Sequence, residues 1–190
     1  MQRRIGLTGS IASGKSSVGR LLEARGLPVL DADHFARQLL EPGTATTQVV
    51  LQRHPDVRLE QNNIDRAALG QIVFADPSER EWLNGLIHPQ VRRCFERSLV
   101  EHEDVHTIVL MIPLLFEAGL TDLCSEIWLV DCDVEQQLER LMLRNALSRE
   151  DAQARIGAQW PLSRKRKLAD VVIDNRGTEQ NLITQLQALK

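Results

Sequence analysis

The stretch GLTGSIASGKSS, Gly6 to Ser17, decides the fold. It contains the motif G-x-x-x-x-G-K-S, whose fixed positions are Gly9, Gly14, Lys15 and Ser16. An apolar run of strand type precedes this motif, and a segment with leucines at helical spacing follows it. Glycines let successive backbone N–H groups point inward, and the first turn of a helix adds the positive end of its dipole. The pattern therefore predicts a phosphate-binding loop between a strand and a helix, and argues against a glycine-rich turn without function.

The residues of this loop have distinct expected roles. We expect Lys15 to hold the β- and γ-phosphates of a nucleoside triphosphate and the Ser16 hydroxyl to bind Mg²⁺. ATP and Mg²⁺ are therefore the expected co-substrate and metal ion. The residues expected to contact the nucleotide are Gly9, Ser10, Ile11, Ala12, Ser13, Gly14, Lys15, Ser16 and Ser17.

Composition bounds the class of protein. The chain has 190 residues, of which 43% are hydrophobic and 26% are charged, as is typical of soluble globular proteins. The longest apolar run, IVLMIPLLF from Ile108 to Phe116, is too short to cross a bilayer and contains a proline. No secretory signal is apparent, so we expect a cytoplasmic protein without a membrane partner. The three cysteines lack C-x-x-C spacing and predict neither a disulfide framework nor a zinc site, but small buried side chains.

The charge balance says little about partners. A formal net charge of -3 gives no general attraction to nucleic acid, and we expect no such partner. One basic cluster, RKRK at Arg164 to Lys167, is either a solvated helix face or a set of phosphate partners. The sequence leaves the oligomeric state open.

Strand-type runs alternate with amphipathic segments, which predicts an α/β fold with a five-stranded parallel sheet. The expected strands are RIGLTG near Ile5, PVLDAD near Val29, HTIVLMI near Val109, EIWLVD near Leu129 and ADVVID near Val172. The expected helices around them are Lys15 to Arg25, Val134 to Arg144 and Glu179 to Leu189.

Two segments interrupt this alternation. The stretch from about 34 to 103 contains helical patterns and no convincing strand, with Asp65 as an N-cap and Pro89 splitting the last helix. An insert of this length predicts a substrate-binding lobe. The polar stretch from about 148 to 167 is a candidate lid. Residues 1–33, 104–147 and 168–190 would form the core of a single domain, 1–190.

The second strand ends in DADHFAR, and in this topology the strand ends open onto the crevice of the phosphate loop. We therefore expect Asp31 and Asp33 to face the phosphates. A hydroxyl acceptor needs a carboxylate to share its proton, which makes Asp33 the candidate catalytic base. Asp33 could also cap a helix that begins at His34, and the two roles are compatible. Asp31 is a candidate second ligand of Mg²⁺ through water.

Other classes of phosphate-loop protein fit less well. The chain lacks the N-K-x-D tetrapeptide with which GTPases read guanine. The strand IVLMIP does not end in aspartate, and the chain is too short for a motor-type ATPase. A small kinase that transfers a phosphoryl group to a metabolite is the favoured interpretation. The alternatives are a nucleoside or nucleoside-monophosphate kinase, and a regulatory nucleotide-binding protein without an acceptor pocket.

Five motifs occur in order over essentially the whole chain. They are GLTGSIASGKSSV, LDADHFAR, LIHPQV, IPLLFE and ADVVIDNRG. In this order and spacing they resemble the dephospho-coenzyme A kinase family. The resemblance implies ATP-dependent phosphorylation of the ribose 3′-hydroxyl of dephospho-coenzyme A, the last step of coenzyme A synthesis. It also implies a P-loop nucleoside-triphosphate kinase core with a helical substrate lobe and a lid.

The same resemblance implies roles for individual residues. Asp33 matches the family's proposed base. Arg140 and Arg144 match arginines beside the lid, of which we assign Arg144 to catalysis and Arg140 to ATP binding. Asn175 falls where the family contacts the adenine end of ATP. The residues that match segments lining the acceptor site are His88, Pro89, Pro113, Leu114, Leu115 and Glu117.

The chain departs from the family pattern in two places. Ser10, Ala12 and Ser17 replace Gly, Gly and Thr of the usual T-G-G-I-G-S-G-K-S-T. Catalysis is expected to survive if the backbone angles there do not require glycine. The lid sequence LRNALSRE lacks the Arg-Asp pair often seen in the family, which leaves the partner of Arg144 open.

Overall fold

The structure is a computed structural model that describes residues 2–189. The described residues form two compact units. The sheet unit comprises residues 2–31 and 98–189, and the helical unit comprises residues 32–97. The helices are α1 Lys15–Ala24, α2 Ala32–Leu39, α3 Ala45–Arg53, α4 Arg66–Ala75, α5 Pro77–Glu101, α6 Val134–Asn145, α7 Arg149–Gly157, α8 Leu162–Arg166 and α9 Glu179–Ala188.

The sheet unit is built on a five-stranded sheet with the order β2-β3-β1-β4-β5. All of its pairings are parallel. The strands are β1 Arg3–Thr8, β2 Val29–Asp31, β3 Thr107–Met111, β4 Glu126–Asp131 and β5 Val171–Asp174. The α/β fold class and all five predicted strands are thereby confirmed.

The core of the sheet unit is built from the apolar residues of its three inner strands and of the helices that cover them. Leu7, Val109 and Val130 of three neighbouring strands are fully buried, and Leu22 of α1 and Leu186 of α9 belong to the same apolar cluster. Strands of a parallel sheet that are covered by helices carry apolar residues rather than alternating ones. The three predicted helices of this unit begin at the predicted residues and end within one residue of the predicted ends.

The helical unit contains no strand among its described residues, only one isolated bridge between Arg58 and Ile64. Its α4 begins as predicted, because the Asp65 carboxylate accepts hydrogen bonds from the backbone of Ala67 and Ala68, both 3.0 Å long. The apolar cluster of this unit joins α3, α4 and the segment between them. Its buried members are Val50, Leu51, Val57, Ile64, Leu69 and Val73.

The predicted break at Pro89 is wrong, since α5 continues through it. Proline in a helix costs about 3 kcal/mol. Ile87, Val91 and Phe95 lie four residues apart on one buried face, and burying each contributes roughly 2 kcal/mol. Gly85, whose carbonyl loses its partner, is exposed and can bind water instead. Burial along one face therefore outweighs the lost hydrogen bond.

The start of α2 also differs from the prediction. The helix begins at Ala32, directly after the last residue of β2, and not at His34. Asp33 therefore lies inside the first turn and is not the N-cap. A carboxylate in the first turn still interacts favourably with the helix dipole. No helix among residues 2–189 is long and apolar enough to cross a bilayer.

Candidate active site

The phosphate loop joins β1 to α1 at the carboxyl edge of the sheet. Because β1 lies between β3 and β4, the loop opens in the middle of this edge, where ligands bind in open α/β sheets. Ser17 and Val18 donate backbone hydrogen bonds to the Gly14 carbonyl oxygen, 2.9 and 3.2 Å long, which close the first turn of α1. The sequence thus places the N-terminus of a helix directly against the loop, as the motif predicts.

Two glycines of the loop cannot be replaced without displacing neighbours. Gly14 has φ 95° and ψ 13°, in the left-handed region, and a Cβ atom there would collide with the Asn175 side chain. A Cβ atom on Gly9 would lie 2.9 Å from the carbonyl oxygen of Val130. Both positions therefore require glycine for reasons of space, and Gly14 also for its backbone angle.

Ala12 is the strained position of the loop. Its φ of 59° lies in the left-handed region, which costs a residue with a Cβ atom about 1–2 kcal/mol. The departures from the family pattern at Ser10 and Ser17 carry no such strain, since neither has a positive φ. The side chain of Ala12 packs against the apolar cluster that contains Leu138 and Leu141. Part of the strain is thus offset by burial.

Side chains bind both polar backbone groups of Ile11, the residue before Ala12. The Gln137 side chain of α6 donates a hydrogen bond of 2.8 Å to the Ile11 carbonyl oxygen. The Gln159 side-chain oxygen accepts one of 2.8 Å from the Ile11 amide. Sequence reasoning missed both glutamines. The sequence held a signal for Gln137, because this polar residue stands four positions before Leu141 and so shares the apolar face of α6, where the structure buries it to 1% exposure.

Asn175 connects the end of β5 to the phosphate loop. Its side-chain nitrogen donates a hydrogen bond of 2.8 Å to the Ser13 carbonyl oxygen. Its backbone amide donates to the Asp131 carbonyl oxygen at 2.8 Å, and its own carbonyl oxygen accepts from Arg140 Nη2 at 3.0 Å. The structure thus brings together Asn175, Arg140 and the loop, three parts of the predicted site that lie far apart in the sequence.

The two arginines of α6 differ in their surroundings. Arg140 is half-buried, and its Nη1 atom is buried without a hydrogen-bond partner among the described residues. A guanidinium nitrogen in this state can donate to a ligand at little further cost in desolvation. Arg144 is exposed and donates a 2.9 Å hydrogen bond to the side chain of Asn145. In this structure the partner of Arg144, which the sequence left open, is its neighbour in the chain.

A buried ion pair joins the IPLLFE segment to α8. Lys165 Nζ lies 2.9 Å from Glu117 Oε1, and the Lys165 side chain is fully buried. The same ammonium donates to the Pro113 carbonyl oxygen at 3.1 Å, and Glu117 Oε1 accepts from the Trp160 amide at 2.9 Å. Glu117 Oε2 is buried without a partner among residues 2–189. The sequence motifs predict Glu117 and Pro113 as site residues, but they give no sign that Lys165 binds both.

The other members of the basic cluster 164–167 also face partners within the chain. The Arg164 guanidinium carbon lies 3.2 Å from the centroid of a Trp160 ring, which itself stacks on Phe116. Arg166 Nη2 lies 2.5 Å from Oδ2 of the buried Asp131. Lys167 is exposed, and its backbone amide donates to the Arg164 carbonyl oxygen at 3.2 Å. Lys165 and Arg166 thus attach α8 to the IPLLFE segment and to the end of β4.

The predicted acceptor-lining residues of the sheet unit differ in exposure. Pro113, Leu114 and Glu117 are half-buried, whereas Leu115 is 0% exposed. A fully buried side chain offers no surface to a ligand, so any role of Leu115 in binding has to go through its backbone.

In the helical unit, Asp33 lines a cavity of about 320 Å³. The other polar residues of its wall are Arg37 and Arg66, and its apolar wall is formed by Leu40, Leu69, Val73 and Leu83. The cavity therefore combines a carboxylate, two cations and an apolar surface. His88 is half-buried and Pro89 exposed on α5, and neither is among the described residues that line it.

The residues at the start of α1 fit a magnesium ion. No group of three or more His, Cys, Asp or Glu side chains is assembled among the described residues, so a cage made by the protein alone is not formed there. Mg²⁺ at phosphate sites takes one or two protein ligands and completes its shell with phosphate oxygens and water. Ser16, the second residue of α1, is exposed and offers its hydroxyl for this purpose.

Burial keeps two thiols of the sheet unit neutral. It raises the pKa of Cys132 to about 11 and that of Cys124 to about 12. Both remain protonated near neutral pH. Of the three cysteines, which were all predicted to be buried, Cys132 is buried, whereas Cys94 and Cys124 are only half-buried. At the end of β5, hydrogen bonds from Arg176 lower the pKa of Asp174, which stays ionised.

Comparison with known proteins agrees with these features. The family model for dephospho-CoA kinase matches residues 3–181. A dephospho-CoA kinase of Synechococcus sp. (strain CC9605) is 65% identical over 178 residues, covering 93% of this chain and 86% of that protein. The structure of TT1252 from Thermus thermophilus matches with a TM-score of 0.83 and 37% identity, over 99% of this chain and 96% of that one. A dephospho-CoA kinase from Campylobacter jejuni matches with a TM-score of 0.68 and 27% identity, over 98% and 96% of the two chains.

The resemblance inferred from five motifs is thus confirmed over nearly the whole length of the chain. A phosphate loop closed by glycines, a parallel sheet with this strand order and a helical unit inserted after β2 all occur in a chain that the family model spans from β1 into α9. The chain belongs to the dephospho-CoA kinase family.

Proposed function

We propose that the chain transfers the γ-phosphoryl group of ATP to the ribose 3′-hydroxyl of dephospho-coenzyme A, giving coenzyme A and ADP. The observation that carries the proposal is the intact phosphate loop, with Asn175 bound to its Ser13 carbonyl, in a member of this family. In the reaction a bond forms between the ribose 3′-oxygen and the γ-phosphorus. The bond from that phosphorus to the β–γ bridging oxygen breaks, and ADP leaves.

The loop and its surroundings serve the donor side. Lys15 and the inward N–H groups of the loop hold the β- and γ-phosphates, and Ser16 holds Mg²⁺. The magnesium ion supplies positive charge that neutralises the phosphate oxygens. Arg140 has a buried Nη1 atom without a partner among the described residues, which supports a role in nucleotide binding. Arg144 is exposed at the end of α6, and we assign it to stabilising the transferred group.

On the acceptor side, Asp33 takes the hydroxyl proton as the phosphoryl group is transferred. Support comes from its position two residues after β2 and from the cavity of the helical unit that it lines. The two arginines and the apolar wall of this cavity suit a substrate that carries both phosphate and an apolar arm. His88, Pro89 and the segment Pro113 to Glu117 are the remaining proposed acceptor residues, on the strength of the family motifs.

Three parts of the chain have different proposed roles. Residues 34–103 form the substrate-binding insert, 148–167 form a lid, and the remainder is the nucleotide-binding core of one domain. We place the reaction in the cytoplasm, with no nucleic-acid or membrane partner. The fully buried Lys165 and the contacts of Trp160 support a lid that excludes water from the transferred group.

The test is an ADP-release assay with Mg-ATP and three kinds of acceptor. Dephospho-coenzyme A is compared with a panel of nucleosides and nucleoside monophosphates, and with no acceptor. We expect dephospho-coenzyme A alone to raise the rate well above the acceptor-free level, with coenzyme A as the product by mass spectrometry. Acceleration by a nucleoside or monophosphate would support the nucleoside-kinase alternative. ATP binding without acceleration by any acceptor would point to a regulatory protein.

A further inference from the structure

We propose that Gln137 and Gln159 are positioning residues that keep the phosphate loop in its binding conformation, and that they do so because Ala12 is strained. The two side chains hold both polar groups of the Ile11 backbone, at 2.8 Å each. Ala12, the next residue, has φ 59°. The inference rests on the loop being the phosphate site of the proposed function.

The physical argument starts from the preference of alanine. A residue with a Cβ atom favours negative φ, so Ala12 by itself would rotate out of the left-handed region. Such a rotation turns the peptide that joins Ile11 to Ala12, and the carbonyl oxygen of this peptide is the atom that Gln137 binds. Gln159 binds the amide on the other side of Ile11. Relaxation at Ala12 by turning this peptide would therefore break the bond from Gln137, and the bond to Gln159 opposes movement of Ile11.

The two glutamines approach from different elements. Gln137 belongs to α6 and is 1% exposed, so its amide is fixed by packing. Gln159 lies between α7 and α8, next to Trp160, whose amide is bound by Glu117. Glu117 in turn holds the buried Lys165 of α8. The position of Gln159, and with it the loop, is thus coupled to the ion pair at Glu117.

Loss of either glutamine hydrogen bond to Ile11 should appear as weaker nucleotide binding. If the loop leaves the binding conformation for part of the time, the apparent affinity falls by the fraction of time lost. One hydrogen bond of ordinary strength changes the equilibrium between the two loop conformations about five- to tenfold, and affinity follows in full where the strain at Ala12 otherwise favours the relaxed conformation. Glycine occupies the left-handed region without penalty. When residue 12 is glycine, removal of the glutamine should therefore lower the nucleotide affinity only slightly.

The experiment is a double-mutant cycle of Gln159→Met and Ala12→Gly. Calorimetry measures the dissociation constant of a non-hydrolysable ATP analogue with Mg²⁺, and steady-state kinetics separate KM for ATP from kcat. We expect Gln159→Met to raise the dissociation constant and KM about five- to tenfold, with kcat within about twofold. In the Ala12→Gly background the same change should raise both by less than about twofold. Gln187→Met, an exposed glutamine of α9 outside the loop and lid, is the matched control.

Equal losses in the two backgrounds would mean that Gln159 does not act through Ala12, and overturn the inference. Binding by Gln159→Met as tight as by Gln187→Met would overturn it too, while the proposed function stands. If the unchanged chain fails to bind the analogue, both fail. Thermal unfolding of every variant identifies loss of fold. Should Gln159→Met unfold, Gln159→Ala measured in both backgrounds provides the same comparison.

Discussion

The side-chain nitrogen of Asn175 donates a 2.8 Å hydrogen bond to the carbonyl oxygen of Ser13, 162 residues earlier in the chain. The bond links an edge strand of the sheet to a loop that follows the central strand, with β4 between them. The Asn175 amide also occupies the space that a side chain on Gly14 would need. The conformation of the phosphate loop therefore depends on the end of β5.

Replacing Gly14 tests this dependence. In Gly14→Ala the new methyl group collides with Asn175 and the left-handed φ becomes strained. We expect the free energy of unfolding to fall by about 2–4 kcal/mol, from strain together with the lost Asn175 bond. Affinity for ATP should fall at least about tenfold, because the loop amides shift from their binding positions. Chemical denaturation and calorimetry measure the two effects.

Gly26 provides the matched control for Gly14. It has φ 84°, also left-handed, but a Cβ atom there would meet nothing within 4 Å. Gly26→Ala should therefore show only the cost of backbone strain, about 1–2 kcal/mol, and bind ATP normally. Equal destabilisation in the two variants, with equal ATP affinity, would show that the contact with Asn175 is unimportant.

Removing the loop lysine should slow the transfer of the phosphoryl group. In Lys15→Ala the charge that neutralises the β- and γ-phosphates is lost, so we expect kcat to fall roughly a hundredfold or more. Lys167→Ala removes an exposed lysine of the basic cluster and is the control. Steady-state kinetics with dephospho-coenzyme A measure both. Near-normal turnover by Lys15→Ala would contradict the assignment of the phosphate loop.

The proposed base is tested with a substitution of nearly the same shape. In Asp33→Asn the side chain cannot accept the hydroxyl proton, and we expect kcat to fall by a factor on the order of 10²–10⁴ while ATP binds normally. Asp104→Asn, at an exposed position outside the described site, should behave like the unchanged chain. If ATP affinity falls and kcat stays constant, Asp33 has a structural role instead.

The sequence predicted those parts of the fold that depend on local patterns. The five strands are short apolar runs, and the phosphate loop is a fixed spacing of glycines with a strand before it and a helix after it. The predicted break at Pro89 is wrong because proline usually ends a helix, whereas in α5 the burial of neighbouring apolar side chains outweighs the cost of the proline. The start of α2 was two residues late, since the sequence does not show that the chain turns into a helix immediately at the end of β2.

The groups that hold the site together could not be predicted in the same way. Gln159 and Lys165 contact residues more than forty positions away, and their partners are known only when the fold is known. Lys165 stands in a run of four basic residues that the sequence alone presents as a surface feature. The structure buries it fully, whereas the neighbouring Arg164 and Arg166 are exposed.

The buried pair of Lys165 and Glu117 should contribute strongly to stability. In Lys165→Met the Glu117 carboxylate, whose side chain is 15% exposed, loses its cation and keeps one oxygen without a partner among the described residues. Leaving one member of a buried pair uncompensated typically costs 3–5 kcal/mol, and we expect a loss of about 3 kcal/mol in the free energy of unfolding.

The double variant Lys165→Met with Glu117→Gln separates the charge from the packing. If the uncompensated carboxylate causes the loss, the neutral amide should restore part of the stability, so the double variant unfolds at higher denaturant concentration than Lys165→Met alone. Lys167→Met, at an exposed position, should change the unfolding free energy by less than about 0.5 kcal/mol. A double variant that is less stable than Lys165→Met would instead mean that the Glu117 carboxylate stabilises the fold without its cation, as the acceptor of the Trp160 amide.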